Sequence, residues 1–310
     1  MIEFQNVTKL YGSVIGVNDI TLKLEAGAYG LLGPNGSGKT TLINLIVGQL
    51  RPTIGEVKTF GENPWGRSEM LRRVGLCPAV DILYPNVTAL DWVRYLVELH
   101  GFSRHEATSR AKSALELVGM TYAMHRPLGG YSLGMRQRSK LAQALAHDPE
   151  MLILDEPFNG LDPVGRHEMT ELLRNWTKDG KSLLLASHIL HEVEAIRPSF
   201  LLICGGRLLA SGSPEEVHSM LADLPNEIRV RCDHPSQLAR TILEEETVDA
   251  LRFEEHGDVL VISTRHPLNV YNGLPTWMQT SGVRVDEIRS SDESLQELFT
   301  TLMKMHRGEQ

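Results

Sequence analysis

The octapeptide GPNGSGKT, Gly33 to Thr40, constrains the fold of this chain more than any other stretch. It has the spacing G-x-x-x-x-G-K-[ST], follows the apolar run AYGLLG (28–33) and precedes the helix-like TTLINLIVG. Glycines at such positions let backbone N–H groups turn inward around phosphates. Asn35, Gly36, Ser37, Gly38, Lys39, Thr40 and Thr41 are therefore expected to line a phosphorylated ligand. Lys39 would bring a cation to its β and γ phosphates, and the Thr40 hydroxyl can ligate magnesium.

The runs MLILD (151–155), SLLLAS (182–187) and SFLLIC (199–204) are nearly continuous in apolar residues, as strands covered on both faces of a sheet should be. Alternating with longer amphipathic segments, they predict an α/β domain over residues 1–222. Between 86 and 127 no strand pattern occurs. There SRHE (103–106) has the form of a capping box, and Ala107, Ala111, Ala114, Leu115 and Val118 follow at helical spacing. A helical subdomain over about 86–147 is expected. It includes a helix capped by Ser132, whose apolar pattern continues through Leu141, Ala142 and Leu145.

Past a linker at LADLPNE (221–227), the order becomes strand (EIRVRC), helix (SQLARTILEEE), a hairpin from VDALRFEE to VLVIS, helix, strand (VRVDEIR) and a terminal helix over 291–305. That order predicts a small α+β, ferredoxin-like domain over 223–310.

With 31 basic and 39 acidic residues the net charge is -8, which opposes nucleic-acid binding by phosphate neutralisation. Cys77, Cys204 and Cys232 lack metal or redox spacing and are expected to be buried free thiols in a reducing compartment. The N-terminus lacks the layout of a signal peptide, and no apolar run reaches the about 18 residues of a membrane span. Any membrane role is expected to be played from the surface.

MLILDEP places Asp155 and Glu156 at the end of a buried strand, where open α/β sheets bind ligands. An acidic pair there is often a solvated turn, but beside a phosphate loop Asp155 suits a magnesium ligand and Glu156 a base for attacking water. His188 ends the strand SLLLAS, within reach of the γ phosphate. His188 and His191, with Glu192, lack a clear third ligand, so no zinc site is expected.

In order, GPNGSGKT, YSLGMRQR, MLILDEP, NGLD and His188 resemble the ATP-binding subunit of an ABC transporter over about residues 1–220. The resemblance implies a P-loop NTPase fold of the ABC ATPase type, with ATP and Mg2+ as cofactors. Tyr11 matches the aromatic that stacks on adenine, with Val17 nearby, and Asp162 the loop that communicates across a dimer. Ser132 and Gly134 match the signature that completes the opposing subunit's site. A homodimer, or a heterodimer with a close relative, is therefore implied. So is a separate membrane permease, docked on the helical subdomain and the loop from Ala79 to Tyr84 at the cytoplasmic face.

The signature usually reads Leu-Ser-Gly-Gly-Gln; its form here, Tyr131 to Met135, resembles ATPases of drug, lipid and polysaccharide exporters. Ala79 stands where the family has a glutamine that touches magnesium and water, and Asp81 is a candidate substitute through a water. The C-terminal segment, with SLQELF near its end, resembles an accessory domain for dimer support or regulation, with passive packing as the alternative. Two other classes share these motifs. One is a soluble ABC ATPase acting on nucleic acid or ribosomes, which the chain's acidity disfavours and which lacks here the expected coiled coil or second ATPase domain. The other is a nucleotide-dependent regulator that hydrolyses slowly because of Ala79.

Overall fold

MLILD and SLLLAS bury every residue, and they lie side by side in one sheet. The computed structural model describes residues 1–290 except 81–82, 197, 214–215, 217–225, 244, 246 and 255–256. It divides into two compact units, Met1–Pro214 and Glu215–Gln310.

The first unit runs β1 (Ile2–Tyr11), β2 (Val14–Leu24), β3 (Ala28–Leu32), α1 (Lys39–Ile46), β4 (Ile54–Thr59), α2 (Ser68–Leu71), β5 (Val74–Cys77), α3 (Ala89–Leu99), α4 (Arg104–Leu117), α5 (Leu133–Leu145), β6 (Met151–Asp155), α6 (Pro163–Lys178), β7 (Ser182–Ser187), α7 (Leu190–Glu194), β8 (Ser199–Cys204) and β9 (Arg207–Gly212). The main sheet has the order β5-β6-β7-β3-β8-β9, parallel except for β9. An antiparallel sheet, β2-β1-β4, accompanies it. Phe4, Leu31, Leu42, Ile46, Ile153 and Leu184 share one core cluster between these layers. Each such side chain contributes about 1.5–3 kcal/mol through burial. The main sheet thus delivers the C-terminal ends of β3, β6 and β7 to one edge, beside the N-terminus of α1.

Helices occupy 89–145 with no strand between them, and their caps follow local chemistry. Thr88 accepts from the Asp91 N–H, and the predicted Ser103–Glu106 capping box forms. Ser132 caps α5 by accepting from the Met135 N–H at 3.3 Å, and Leu141, Ala142 and Leu145 are buried as expected.

His147 follows α5 and stacks on His100, with ring centroids 3.9 Å apart. Its Nε2 lies 3.1 Å from the Val74 carbonyl oxygen. Burial, reinforced by His100, pushes its pKa from 6.5 to about 4. The unfolded chain therefore binds this proton more readily than the native one, so the stability is complete above 6.5 and is lost as pH falls toward about 4. Chemical denaturation should show this site costing about 2 kcal/mol between about pH 7.5 and about pH 5, and His147→Phe should remove that component.

The second unit runs β10 (Asn226–Cys232), α8 (Pro235–Ile242), β11 (Ala250–Phe253), β12 (Val259–Thr264), α9 (Pro267–Ser281) and β13 (Val285–Ser290). Its antiparallel sheet has the order β11-β12-β10-β13. Leu238, Ile242, Val270, Leu274 and Trp277 from the helices share a core with Ile228, Val230, Leu260 and Ile262. The predicted hairpin pairs Phe253 with Leu260. The predicted helix through Glu246 stops earlier, at Ile242, because three successive glutamates would sit at the negative end of the helix dipole. Glu245 instead accepts a bond from the Trp277 indole N–H at 2.9 Å.

The expected terminal helix with SLQELF, most of the linker, and Asp81 lie outside the described residues. All three cysteines are buried, and none forms a disulfide among the described residues. Among the described residues no helix is long and apolar enough to cross a membrane.

Candidate active site

The phosphate loop joins β3 to α1 and is shaped by its neighbours. A Cβ on Gly33 would lie 2.3 Å from the Ile203 carbonyl oxygen, and one on Gly38, at φ +108°, 2.5 Å from that of Gly16. Neither position admits a side chain. Gly38 also leaves α1 without a side-chain cap, so its first N–H groups are suited to an anion. Lys39 is buried beneath the loop, donating from Nζ to the Gly33 carbonyl at 2.7 Å and to that of Pro34 at 3.3 Å.

The loop faces a cavity of about 370 Å3, lined also by Tyr11, Val14, Ile15, Gly16, Ala79, Asp155 and Glu156. Asn35, Gly36, Ser37, Gly38, Lys39, Thr40 and Thr41 all contribute to its wall. The Tyr11 ring lies against Gly16, and its hydroxyl is 3.3 Å from Thr41 Oγ1.

Val17 is placed differently from the sequence expectation. Its side chain is wholly buried in the core cluster, so it supports Gly38 from within instead of facing the cavity. Val14 and Ile15, 63% and 51% exposed, line the cavity in its place. The signal for them is an apolar pair directly after the Gly12-Ser13 turn.

At the end of β6, Thr40 Oγ1 donates to Asp155 Oδ2 at 2.7 Å. Burial pushes the Asp155 carboxyl above its usual range, and the Thr40 bond opposes that shift. Glu156 Oε2 lies 2.8 Å from His188 Nδ1, and Oε1 3.4 Å from Lys39 Nζ. The Glu156 backbone has φ +52°, although a residue before proline ordinarily prefers extended backbone. Such a conformation costs about 1–3 kcal/mol and persists where its surroundings enforce it; here the Glu156 N–H donates to the Ala186 carbonyl at 2.9 Å.

Ser37 Oγ, Asp155 Oδ1 and Glu156 Oε1 are buried without a hydrogen-bond partner, and all three residues line this cavity. Each such group costs about 1–3 kcal/mol until something satisfies it. An oxygen-ligated cation with a phosphate chain fits that donor set and the open helix end.

Ser132, Gly134 and Asp162 are not among the residues of this cavity. A Cβ on Gly134 would come 3.0 Å from the Gly160 carbonyl oxygen, so the start of α5 packs against the NGLD loop. Asp162 caps α6, accepting from the Gly165 N–H at 2.8 Å. His188 reaches the cavity only through Glu156.

Sequence reasoning passed over Lys140. It is buried within α5 and donates from Nζ to the Pro78 carbonyl at 3.1 Å and the Ala79 carbonyl at 3.2 Å, tying down the cavity wall. A lysine inside the apolar stripe Leu141, Ala142, Leu145 is the signal that was present.

The ABC transporter family model matches residues 17–159. The bacitracin transport ATP-binding protein BcrA of Bacillus licheniformis is 34% identical over 306 residues, covering 98% of this chain and 97% of that relative. The chain belongs to the ABC transporter ATP-binding proteins.

This ABC subunit is also 36% identical over 234 residues to the Nod factor export ATP-binding protein I of Burkholderia lata, covering 75% of this chain and 74% of that one. Among solved structures, the dimeric structure of MJ0796, a bacterial ABC transporter cassette, matches with TM-score 0.64 and 25% identity. That match covers 69% of this chain and 98% of the cassette. The ABC subunit therefore binds and hydrolyses ATP for a transporter, and its relatives named for transport and export set the nucleic-acid and ribosome class aside. The BcrA match spans nearly the whole chain, whereas the cassette match covers about two thirds of it.

Proposed function

We propose that the cavity is one half of an ATP site and that the start of α5 is the complementary half for another copy. The observation that carries this reading is their separation. Three unsatisfied buried oxygens gather at the phosphate loop, while Ser132 and Gly134 lie apart from it on the same chain.

In this reading Tyr11 stacks on adenine and Lys39 holds the β and γ phosphates. Thr40 and Asp155 would hold Mg2+, which supplies charge neutralisation on the phosphates. Glu156 accepts the proton of the attacking water through Oε1, which makes no hydrogen bond among the described residues, while His188 orients the carboxylate from Oε2. Ser132 and Gly134 of a second copy complete the donor set, and Asp162 reports across the contact. A two-fold homodimer creates two such sites, in line with the dimeric MJ0796 cassette.

The subunit works at the cytoplasmic face, attached to a membrane permease through the helical region and the loop from Ala79 to Tyr84. Val80 and Tyr84 there are exposed apolar residues, as a docking surface requires. Export is the direction favoured by the Nod factor relative's name. Residues 1–222 form the nucleotide-binding domain, with its helical subdomain over about 86–147, and 223–310 an accessory domain. The order β11-β12-β10-β13, with helices after the first and third strands, supports a ferredoxin-like fold for the latter.

Ala79 favours a second reading in which turnover is slow and nucleotide binding regulates, because the wall facing Thr40 and Asp155 has no polar side chain at that point. Steady-state ATPase of Ala79→Gln, with and without the copurified permease, separates the two. A rise of about 10-fold that the permease enhances supports the coupled transporter. Negligible turnover in both proteins, with tight ATP binding, supports the regulator.

A further inference from the structure

Arg166 and Glu192 are not among the residues lining the ATP cavity and have no part in the reading above. Arg166 lies in the first turn of α6, after the Asp162 cap. Its Nε donates to the Leu161 carbonyl at 3.2 Å, and its Nη1 lies 3.0 Å from Glu192 Oε1. The Glu192 side chain is 6% exposed, and its other oxygen accepts from Ser187 Oγ at 3.1 Å. Ser187, wholly buried at the end of β7, accepts in turn from the Ile189 N–H at 3.0 Å. One hydroxyl therefore fixes the backbone on either side of His188, whose Nδ1 is 2.8 Å from Glu156.

A carboxylate this buried persists only when its oxygens are satisfied. Here one oxygen meets Arg166, which is itself bound to the Leu161 carbonyl, and the other meets Ser187, next to His188.

We propose that Arg166 and Glu192 are positioning residues that tie the Leu161–Asp162 loop to His188 and so set its hold on Glu156. This rests on the reading of Glu156 and His188 as the hydrolytic pair. When a second copy engages the Asp162 loop, the shift of the Leu161 carbonyl passes through the guanidinium to Glu192 and Ser187. The hydrolytic pair then registers dimer closure from within its own chain.

Glu192→Gln tests this in the full-length protein. The amide keeps the volume but removes the negative charge opposite Arg166, and its NH2 end can meet Ser187 only as a donor, which reverses that bond. The expected result is a kcat about 10-fold lower, with ATP KM changed less than about 2-fold, melting temperature retained and ATP-dependent dimerisation intact by sedimentation. Added to His188→Ala, the same change should cost less than about a further 2-fold, because the relay ends on that ring. Arg166→Met should lower kcat similarly, but with a reduced melting temperature, because it leaves the buried Glu192 carboxylate without its cation.

An unchanged kcat in both variants, or losses that multiply with that of His188→Ala, overturns the relay. A normal kcat in His188→Ala alone removes the hydrolytic pair itself, and the relay with it.

Discussion

Glu156→Gln is expected to lower ATP turnover about 1000-fold while ATP binding is retained. Asp155 is already engaged by Thr40 and is the proposed cation ligand, which leaves Glu156 as the proposed proton acceptor. Glu156 has one oxygen on His188, and the other, 3.4 Å from Lys39 Nζ, makes no hydrogen bond among the described residues. An amide preserves the size of the side chain and its contact with His188, but it is far too weak a base to take the proton of water. Lys39, the loop glycines and Tyr11 are untouched, so the affinity for ATP should stay within about 3-fold. In a site shared by two copies, ATP that is bound but not hydrolysed holds the copies together, so sedimentation with ATP should show dimer accumulating. Turnover reduced by less than about 10-fold would assign the proton to another group.

Ser132→Arg is expected to reduce turnover by about 100-fold or more, through a different route. The hydroxyl caps α5 at an exposed position and lines no part of the cavity in its own chain. Losing the cap costs about 1 kcal/mol, which lowers the melting temperature modestly and leaves the fold in place. A bulky guanidinium at the helix end obstructs the surface that would meet another copy's γ phosphate. Binding of ATP to a single copy, measured by titration, should therefore be unaffected while hydrolysis is lost.

Much of this was legible in the sequence because the responsible rules are local. Gly33 and Gly38 are fixed by close backbone approaches, the continuous apolar runs by burial on both faces, and the helix starts by Ser103 and Ser132. What escaped depends on contacts between distant segments. Val17 looked ligand-facing, but irregular registers between β1 and β2 turn it into the core and bring Val14 and Ile15 outward. Lys140 is matched to carbonyls 62 and 61 residues away, and no local pattern predicts that pairing. The left-handed backbone of Glu156 runs against the preference set by Pro157, so only the assembled sheet end could reveal it. Strands β1, β2 and β4 carry mixed polar and apolar residues, which hid an antiparallel sheet beside a plainly readable parallel one.

Mixing two disabled copies tests the shared site most directly. A Lys39→Ala copy lacks a working phosphate loop but keeps its α5 end, and a Ser132→Arg copy has the reverse defect. Each alone should be nearly inactive, whereas their mixed dimer contains one site with Lys39 from one chain and Ser132 from the other. Combining them in equal amounts should restore about a quarter of normal turnover, since about half the dimers are mixed and each holds one intact site. Full turnover by Ser132→Arg alone, with no gain on mixing, would contradict a site built from two chains.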